Sequence, residues 1–174
     1  MIEYCEWRSP LGTMLLAAND DGLYGAYFVG QKHFPRLDEH WRRGEAEPLA
    51  RARRQLEEYF AGRRQCFSLP LVPWGTLFQR RVWRALAQVA YGATVSYGEL
   101  ARRLGEPGTA RAVGAAAGRN PLALFIPCHR AVGSDGALTG YAGGIERKRA
   151  LLKLERGVVL QAGRSEPCSV APSP

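Results

Sequence analysis

The pair in this chain best suited to nucleophilic chemistry is Cys128-His129, inside Ile126-Pro127-Cys128-His129-Arg130. It follows directly on Leu122 to Ile126, a short continuous apolar run that reads as a buried segment. The thiol is therefore placed at the edge of a core. Thiolate is the reactive form, and a free cysteine titrates near ~8.5 until a neighbour lowers it. Histidine is the usual neighbour, as base or as cation. Adjacent residues on an extended segment point to opposite sides. Cys128 and His129 can therefore cooperate only across a turn or through a bridging water. The residues alone leave a second reading open, an inert buried cysteine beside a structural histidine.

A second constellation lies upstream. Ser96-Tyr97-Gly98-Glu99 has the form of a capping box and opens a short helix to about residue 104. Gly105-Glu106-Pro107-Gly108 reads as a turn, and Thr109 is placed to cap a further helix ending near Gly118, before Asn120-Pro121. Two short helices across a tight turn form a helix-turn-helix candidate. The second helix, Thr109 to Gly118, is small residues around one arginine, Arg111. Such a helix can press its backbone against a narrow minor groove, with Arg111 inserted into the base stack or holding phosphates. It can equally serve close packing between helices, and both readings stand at this level.

These segments need elements to position them. Asn19-Asp20-Asp21-Gly22 between the apolar runs Thr13 to Ala18 and Gly22 to Val29 predicts a hairpin. Pro48 to Ala61 predicts a helix, with Leu49, Ala52, Leu56, Tyr59 and Phe60 at helical spacing and Gly62 closing it. The prolines and glycine of Ser68 to Gly75 mark a linker. Thr76 and Gln79 form a capping box before a helix whose Phe78, Val82, Leu86 and Val89 share a face. A last helix is expected over Ile145 to Arg156, with Ile145, Leu151, Leu152 and Leu154 in the core and Gly157 as its C-cap. The Pro- and Ser-rich end, from about residue 159 to 174, reads as a flexible tail.

Apolar residues make up 46% and charged residues 23% of the chain, a globular balance that excludes disorder throughout. The net charge of +8 favours polyanionic partners, nucleic acid or an acidic membrane face, although a merely soluble basic protein has the same surplus. No apolar stretch reaches the ~18 residues of a spanning helix. Met1 to Cys5 starts a strand-like pattern without the features of a signal peptide, so an intracellular protein is expected. Cys5, Cys66, Cys128 and Cys168 form no CxxC pair, and no disulfide framework is expected.

Pro127-Cys128-His129-Arg130, preceded by Arg111-Ala112-Val113-Gly114 and Asn120-Pro121, resembles the O6-alkylguanine-DNA alkyltransferases, the methylated-DNA–protein-cysteine methyltransferase family. The resemblance runs from about Thr76 to Gly157. It also takes in Phe78-Gln79, Val82-Trp83, Tyr91-Gly92, Val95-Ser96-Tyr97 and Gly140-Tyr141-Ala142-Gly143-Gly144, in fixed order. Ser9-Pro10-Leu11-Gly12 fits the opening of the family's small β-rich domain. The resemblance implies an α+β chain. A small N-terminal β-sheet domain of RNase H-like type with a helix spans 1–70, a linker 71–76, and a mostly helical alkyl-transfer domain 77–158.

It also implies roles. Cys128 is the acceptor, His129 the base acting through a water, and Glu155 the carboxylate that orients and charges that histidine. Asn120 braces the turn before the cysteine. Tyr97 crowds the target phosphate and hydrogen-bonds the flipped guanine. Arg111 fills the hole left by the base, with Ala112, Gly114 and Ala115 against the groove. Tyr141, Ala142 and Pro127 line the base pocket. Some members carry a serine where this chain has Ala142; a hydroxyl donor to O6 is lost and the backbone N–H remains. Some bind zinc in the N-terminal domain, but Cys5 stands alone and His33 and His40 are isolated, so no metal is expected here.

The implied partner is duplex DNA carrying O6-alkylguanine. O4-alkylthymine and clustering along DNA are left open, the chain is expected to act as a monomer, and no cofactor is implied. A cytoplasmic, nucleoid-associated prokaryotic setting is expected, without an added N-terminal regulatory domain. Three rivals carry less. Lesion-binding relatives lack the acceptor cysteine. A Cys-His hydrolase needs its histidine to face the cysteine from elsewhere in the fold. A transcription regulator needs Asn, Gln or several Arg on its recognition helix.

Overall fold

A computed structural model describes residues 1–162. The chain opens with β1 (Ile2–Ser9), β2 (Gly12–Asn19) and β3 (Gly22–Phe28), and a short β4 (Trp41–Arg43) completes a sheet in the order β3-β2-β1-β4. The first three strands are an antiparallel meander, and β4 runs parallel to β1. The two-residue strand period divides β2 between two faces. Met14, Leu16 and Ala18 enter the main core, whereas Leu15 and Ala17 join Tyr27 and a set of aromatics that includes Trp41 on the opposite face.

Helix α1 (Glu47–Phe60) covers the main-core face with Leu49, Ala52, Leu56 and Tyr59. Pro48 sits in its first turn, and Gly62 follows its end at φ 73°, a left-handed conformation that glycine adopts without Cβ strain. The Pro-rich segment that follows is tied to the sheet. Leu23 donates to Pro70 O and Val72 donates to Leu23 O, each at 2.9 Å, so this segment lies along the open edge of β3. Further along the same edge Ala26 N–H donates to Pro121 O at 2.8 Å and Ala123 N–H donates to Ala26 O at 3.0 Å. Strand β3 thereby anchors the segment that leads to Cys128, and one core cluster contains residues from both halves of the chain.

The second half comprises α2 (Leu77–Ala87), β5 (Val95–Ser96), α3 (Tyr97–Arg103), α4 (Ala110–Gly118), a 3-10 turn at Cys128–Arg130, β6 (Ala131–Val132) and α5 (Ile145–Ala162). Thr76 and Gln79 form the reciprocal capping box of α2. The rear of α4 is pinned to α2 by Trp83 Nε1, which donates to Ala116 O at 2.8 Å. Helices α3 and α4, joined by the Gly105–Gly108 turn, pack as the expected helix pair.

The local expectations need four corrections. Ser96 caps α3 by accepting from Glu99 N–H, but the Glu99 carboxylate bonds Arg102 and Arg103 instead of reaching back. Two charged donors within one turn outcompete a neutral N–H. The Thr109 hydroxyl donates to Glu106 O at 2.6 Å and does not cap α4. Helix α5 passes through Gly157 to Ala162, because Val158 and Val159 pack on the core and offset the ~1 kcal/mol helix cost of one glycine. Residues 159–162 of the expected tail are therefore helical, and its remainder lies outside the described residues. Finally, Cys66 is disulfide-bonded, contrary to expectation, whereas Cys5 and Cys128 are free.

Candidate active site

The segment before Cys128 is buried and tightly turned. Every residue from Pro121 to Arg130 is buried. Leu124 sits at φ 73°, an unfavourable region for a leucine that persists only where its surroundings dictate it. Asn120 supplies that constraint. Its Oδ1 accepts from Leu122 N–H at 3.0 Å, and its Nδ2 donates to Ile126 O at 2.8 Å. The same Nδ2 lies 3.1 Å from Cys128 Sγ. Asn120 thus closes the turn and touches the sulfur. Pro127, at φ −80° and ψ 63°, centres an inverse γ-turn in which Cys128 N–H donates to Ile126 O at 2.8 Å. A 3-10 turn then carries Cys128, His129 and Arg130.

This turn sends the cysteine and the histidine in different directions, as their adjacency requires. His129 is 0% exposed, and its Nε2 lies 2.8 Å from Glu155 Oε1 on α5. Its Nδ1 is buried with no hydrogen-bond partner among the described residues. Arg130 completes the cluster: Nε and Nη2 donate to Glu155, and Nη1 donates to Val89 O at 2.7 Å. Burial opposes the charge of Glu155, but His129 and Arg130 outweigh it and hold the carboxyl down at about 2. Burial lowers His129 below its ordinary value, against the opposing pull of Glu155. The imidazole is therefore neutral near pH 7, ready to accept a proton at Nδ1 and to have the resulting cation held by Glu155.

Cys128 itself is 7% exposed. Burial pushes its thiol up, while Asn120, the Lys148 cation and the backbone N–H groups of Cys128 and His129 pull the other way. The resting group is a thiol that needs a base, surrounded by donors that stabilise the thiolate once formed. Lys148, on α5, is fully buried, and its Nζ donates to Thr139 O at 3.0 Å and Gly140 O at 3.3 Å and lies 3.4 Å from the Tyr97 hydroxyl. Burial pulls its pKa down to about 8. The Tyr97 hydroxyl donates to Thr139 O at 3.1 Å. Tyr97 and Lys148 together tie helix α3 to the loop that bears Tyr141 and Ala142. Tyr141 has a buried hydroxyl without a partner among the described residues, and Ala142 O accepts from Lys32 N–H at 3.0 Å.

The outward side of α4 has the opposite character. Arg111, Ala112 and Ala115 are exposed, Gly114 is half-buried, and Val113, Ala116 and Ala117 face inward. A Cβ on Gly114 would meet the Tyr97 ring at 3.7 Å, so this turn of α4 lies directly over Tyr97.

The structure thus brings Cys128, His129, Asn120 and Glu155 into one buried cluster, with Tyr97 and Tyr141 beside it and Arg111, Ala112 and Ala115 on an outer face. Lys148, Arg130 and Tyr59 belong to the cluster and were not singled out from the sequence. The signal for Lys148 was its spacing. Lys148, Leu151 and Glu155 form the buried face of α5, whereas Ile145, Leu152 and Leu154, expected in the core, are only half-buried. A search for apolar periodicity passes over a buried face built from a lysine and a glutamate.

Residues 3–73 match the ribonuclease-like domain of the 6-O-methylguanine DNA methyltransferases, and residues 77–157 match their DNA binding domain. A methylated-DNA–protein-cysteine methyltransferase of Methanosarcina acetivorans is 46% identical over 87% of this chain and 97% of its own length. One from Mycolicibacterium paratuberculosis is 48% identical over 90% of this chain and 93% of its own. The O6-methylguanine methyltransferase of Mycobacterium tuberculosis superposes with a TM-score of 0.83 at 46% identity, covering 90% of this chain and 94% of the other. The OGT of the same organism, solved in complex with DNA, also gives a TM-score of 0.83, at 45% identity and the same coverage. Two matched domains and near-full-length identity of this degree make the chain a member of the 6-O-methylguanine DNA methyltransferase family.

Proposed function

We infer that the protein repairs DNA by direct reversal, moving an alkyl group from O6 of guanine to Cys128. The observation that carries this reading is the buried cluster itself: a thiol held by Asn120, a neutral histidine held by Glu155, and an exposed helix of small residues directly over Tyr97. The base must leave the duplex to meet a buried sulfur, at a cost of a few kcal/mol. The narrow outer face of α4 fits a minor groove, and Arg111 is placed to occupy the opened stack. The Cys128 proton passes through a water to His129 Nδ1, and Glu155 holds the imidazolium. The thiolate then attacks the alkyl carbon, an S–C bond forms, and the C–O6 bond breaks with its electron pair going to guanine. Tyr97 and nearby backbone N–H groups offset the charge developing there.

The product is a thioether, which none of these residues is equipped to cleave, so each molecule acts once and needs no cofactor. DNA is the partner that supports this reading best, since a relative of 45% identity has been solved with DNA. The finer expectation is an O6-alkylguanine duplex bound by a monomer in a prokaryotic cytoplasm. The test is intact-protein mass spectrometry after mixing with a duplex containing one O6-methylguanine. The expected result is a gain of one methyl, mapped to Cys128 and missing in Cys128→Ser. Tight lesion binding without mass gain would make the protein a lesion sensor.

A further inference from the structure

Glu155 has a donor from the far half of the chain. Tyr59, in the last turn of α1, is fully buried, and its hydroxyl donates to Glu155 Oε1 at 3.0 Å. The same oxygen meets His129 Nε2 at 2.8 Å and Arg130 Nη2 at 2.7 Å. The Tyr59 ring is fixed by edge-to-face contacts with Phe60 and Tyr91, at centroid distances of 5.3 and 6.0 Å, and by Phe67 at 5.6 Å. Its hydroxyl therefore points at Glu155 without freedom to wander. Phe67 in turn packs on Phe125 at 4.4 Å, which joins this aromatic cluster to the turn that presents Cys128.

We propose that Tyr59 is a positioning residue of the transfer reaction: its hydroxyl shares Glu155 Oε1 with His129 and thereby sets the aim and the available charge of the carboxylate that holds that base. The N-terminal half would then complete the relay as well as scaffold it. This role rests on the transfer to Cys128 inferred above. The groups facing the His129–Glu155 pair are Tyr59 from α1, Arg130 from the 3-10 turn, Lys148 from α5, Tyr91 from the segment after α2, and Tyr141 from the loop before α5. Burial, and then the Glu155 charge, hold the Tyr59 phenol well above its ordinary value, so it remains a donor at every working pH. Arg130 already donates to the same oxygen through Nη2 and is anchored to Val89 O through Nη1, so the Tyr59 hydroxyl adds a donor to those Arg130 provides.

Without the hydroxyl, more of the Oε1 charge falls on His129, which then holds a proton to higher pH. The imidazole ceases to be a free base there, so the acid limb of the rate profile must move up. The experiment is the pH dependence of single-turnover methyl transfer from an O6-methylguanine duplex, on the full chain, for the parent, Tyr59→Phe, Glu155→Gln and the double variant. Removing a hydrogen bond to a charged group predicts a fall of about tenfold at neutral pH for Tyr59→Phe. The acid limb is expected to move up, with no further fall when Tyr59→Phe is added to Glu155→Gln. The 15N titration of the His129 imidazole in Tyr59→Phe, read without DNA, needs no Glu155 variant and is expected to move up as well. An unmoved limb, an unmoved imidazole titration, or an undiminished fall in the Glu155→Gln background overturns the role of Tyr59. No transfer by the parent at any pH instead rejects the transfer reading itself.

Discussion

Around Cys128, polar side chains occupy places that apolar ones usually fill. Glu155, His129 and Lys148 are each 0% exposed, and the partners of Glu155 come from α1 and the 3-10 turn. On the outward side of α4, helix positions that usually carry long polar side chains carry Ala112 and Ala115 beside a single Arg111. The two regions are separated by little more than the Tyr97 ring. The contrast teaches a division of labour. The buried region is preorganised to make and hold charge at a sulfur shielded from bulk solvent. The exposed region is kept low so that a large partner can approach it closely. Substitutions in the first should disturb folding and chemistry together, and substitutions in the second should disturb DNA binding and base extrusion without disturbing the fold.

The sharpest way to break this contrast is Glu155→Ala. It leaves Arg130 and the proton-accepting His129 buried without their anion, a loss of ~3–5 kcal/mol. A large drop in Tm with loss of transfer is expected, and a Tm close to the parent's would contradict the account of the cluster. The pH dependence of unfolding probes the same group. The folded carboxyl sits at about 2, below its ordinary 4.5. Its contribution is therefore present above pH 4.5 and is lost as pH falls from 4.5 towards 2. Urea unfolding of the parent and Glu155→Gln should accordingly converge across that window.

Ala115→Glu should act on the other region alone. A carboxylate facing the phosphates should weaken duplex binding by at least ~10-fold, measured by fluorescence anisotropy, with unfolding free energy within about 0.5 kcal/mol of the parent. Arg111→Ala should slow single-turnover transfer to a paired lesion more than to a lesion in single-stranded DNA, because only the paired base leaves a hole to fill. Equal slowing on both substrates would reduce Arg111 to a phosphate contact. The smallest effect expected is at Gly157. Helix α5 runs through it, and an added Cβ meets nothing within 4 Å. Gly157→Ala should raise stability by up to ~1 kcal/mol by thermal melting; a loss would restore Gly157 as a helix end.

Legibility in the sequence followed the same division. The hairpin, the α2 capping box, the small-residue helix and the buried run before Cys128 each announce themselves through local pattern, and the structure has all of them. Strand β4 did not announce itself, because Trp41-Arg42-Arg43 is too short and too polar to alternate. The apolar spacing of α5 points to the wrong inner face, since its buried positions include Lys148 and Glu155. The bonds of Thr109 and Glu99 depended on which of two nearby partners is stronger, and spacing does not reveal that. Tyr59 looked like one more core aromatic, and its contact with Glu155 spans 96 residues. What local pattern does not carry, the motif resemblance does: the expectation that Asn120, Cys128, His129 and Glu155 act on one another.

Transfer to Cys128 is expected to be a single event at a single sulfur. It is tested most directly by titrating a fixed amount of protein with O6-methylguanine duplex and counting repaired guanines and methylated peptides together. A plateau is expected at one repaired base per chain, with every methyl on the peptide containing Cys128 and unrepaired lesions left in the excess. More than one base repaired per chain, or methyl carried by Cys5, would contradict it.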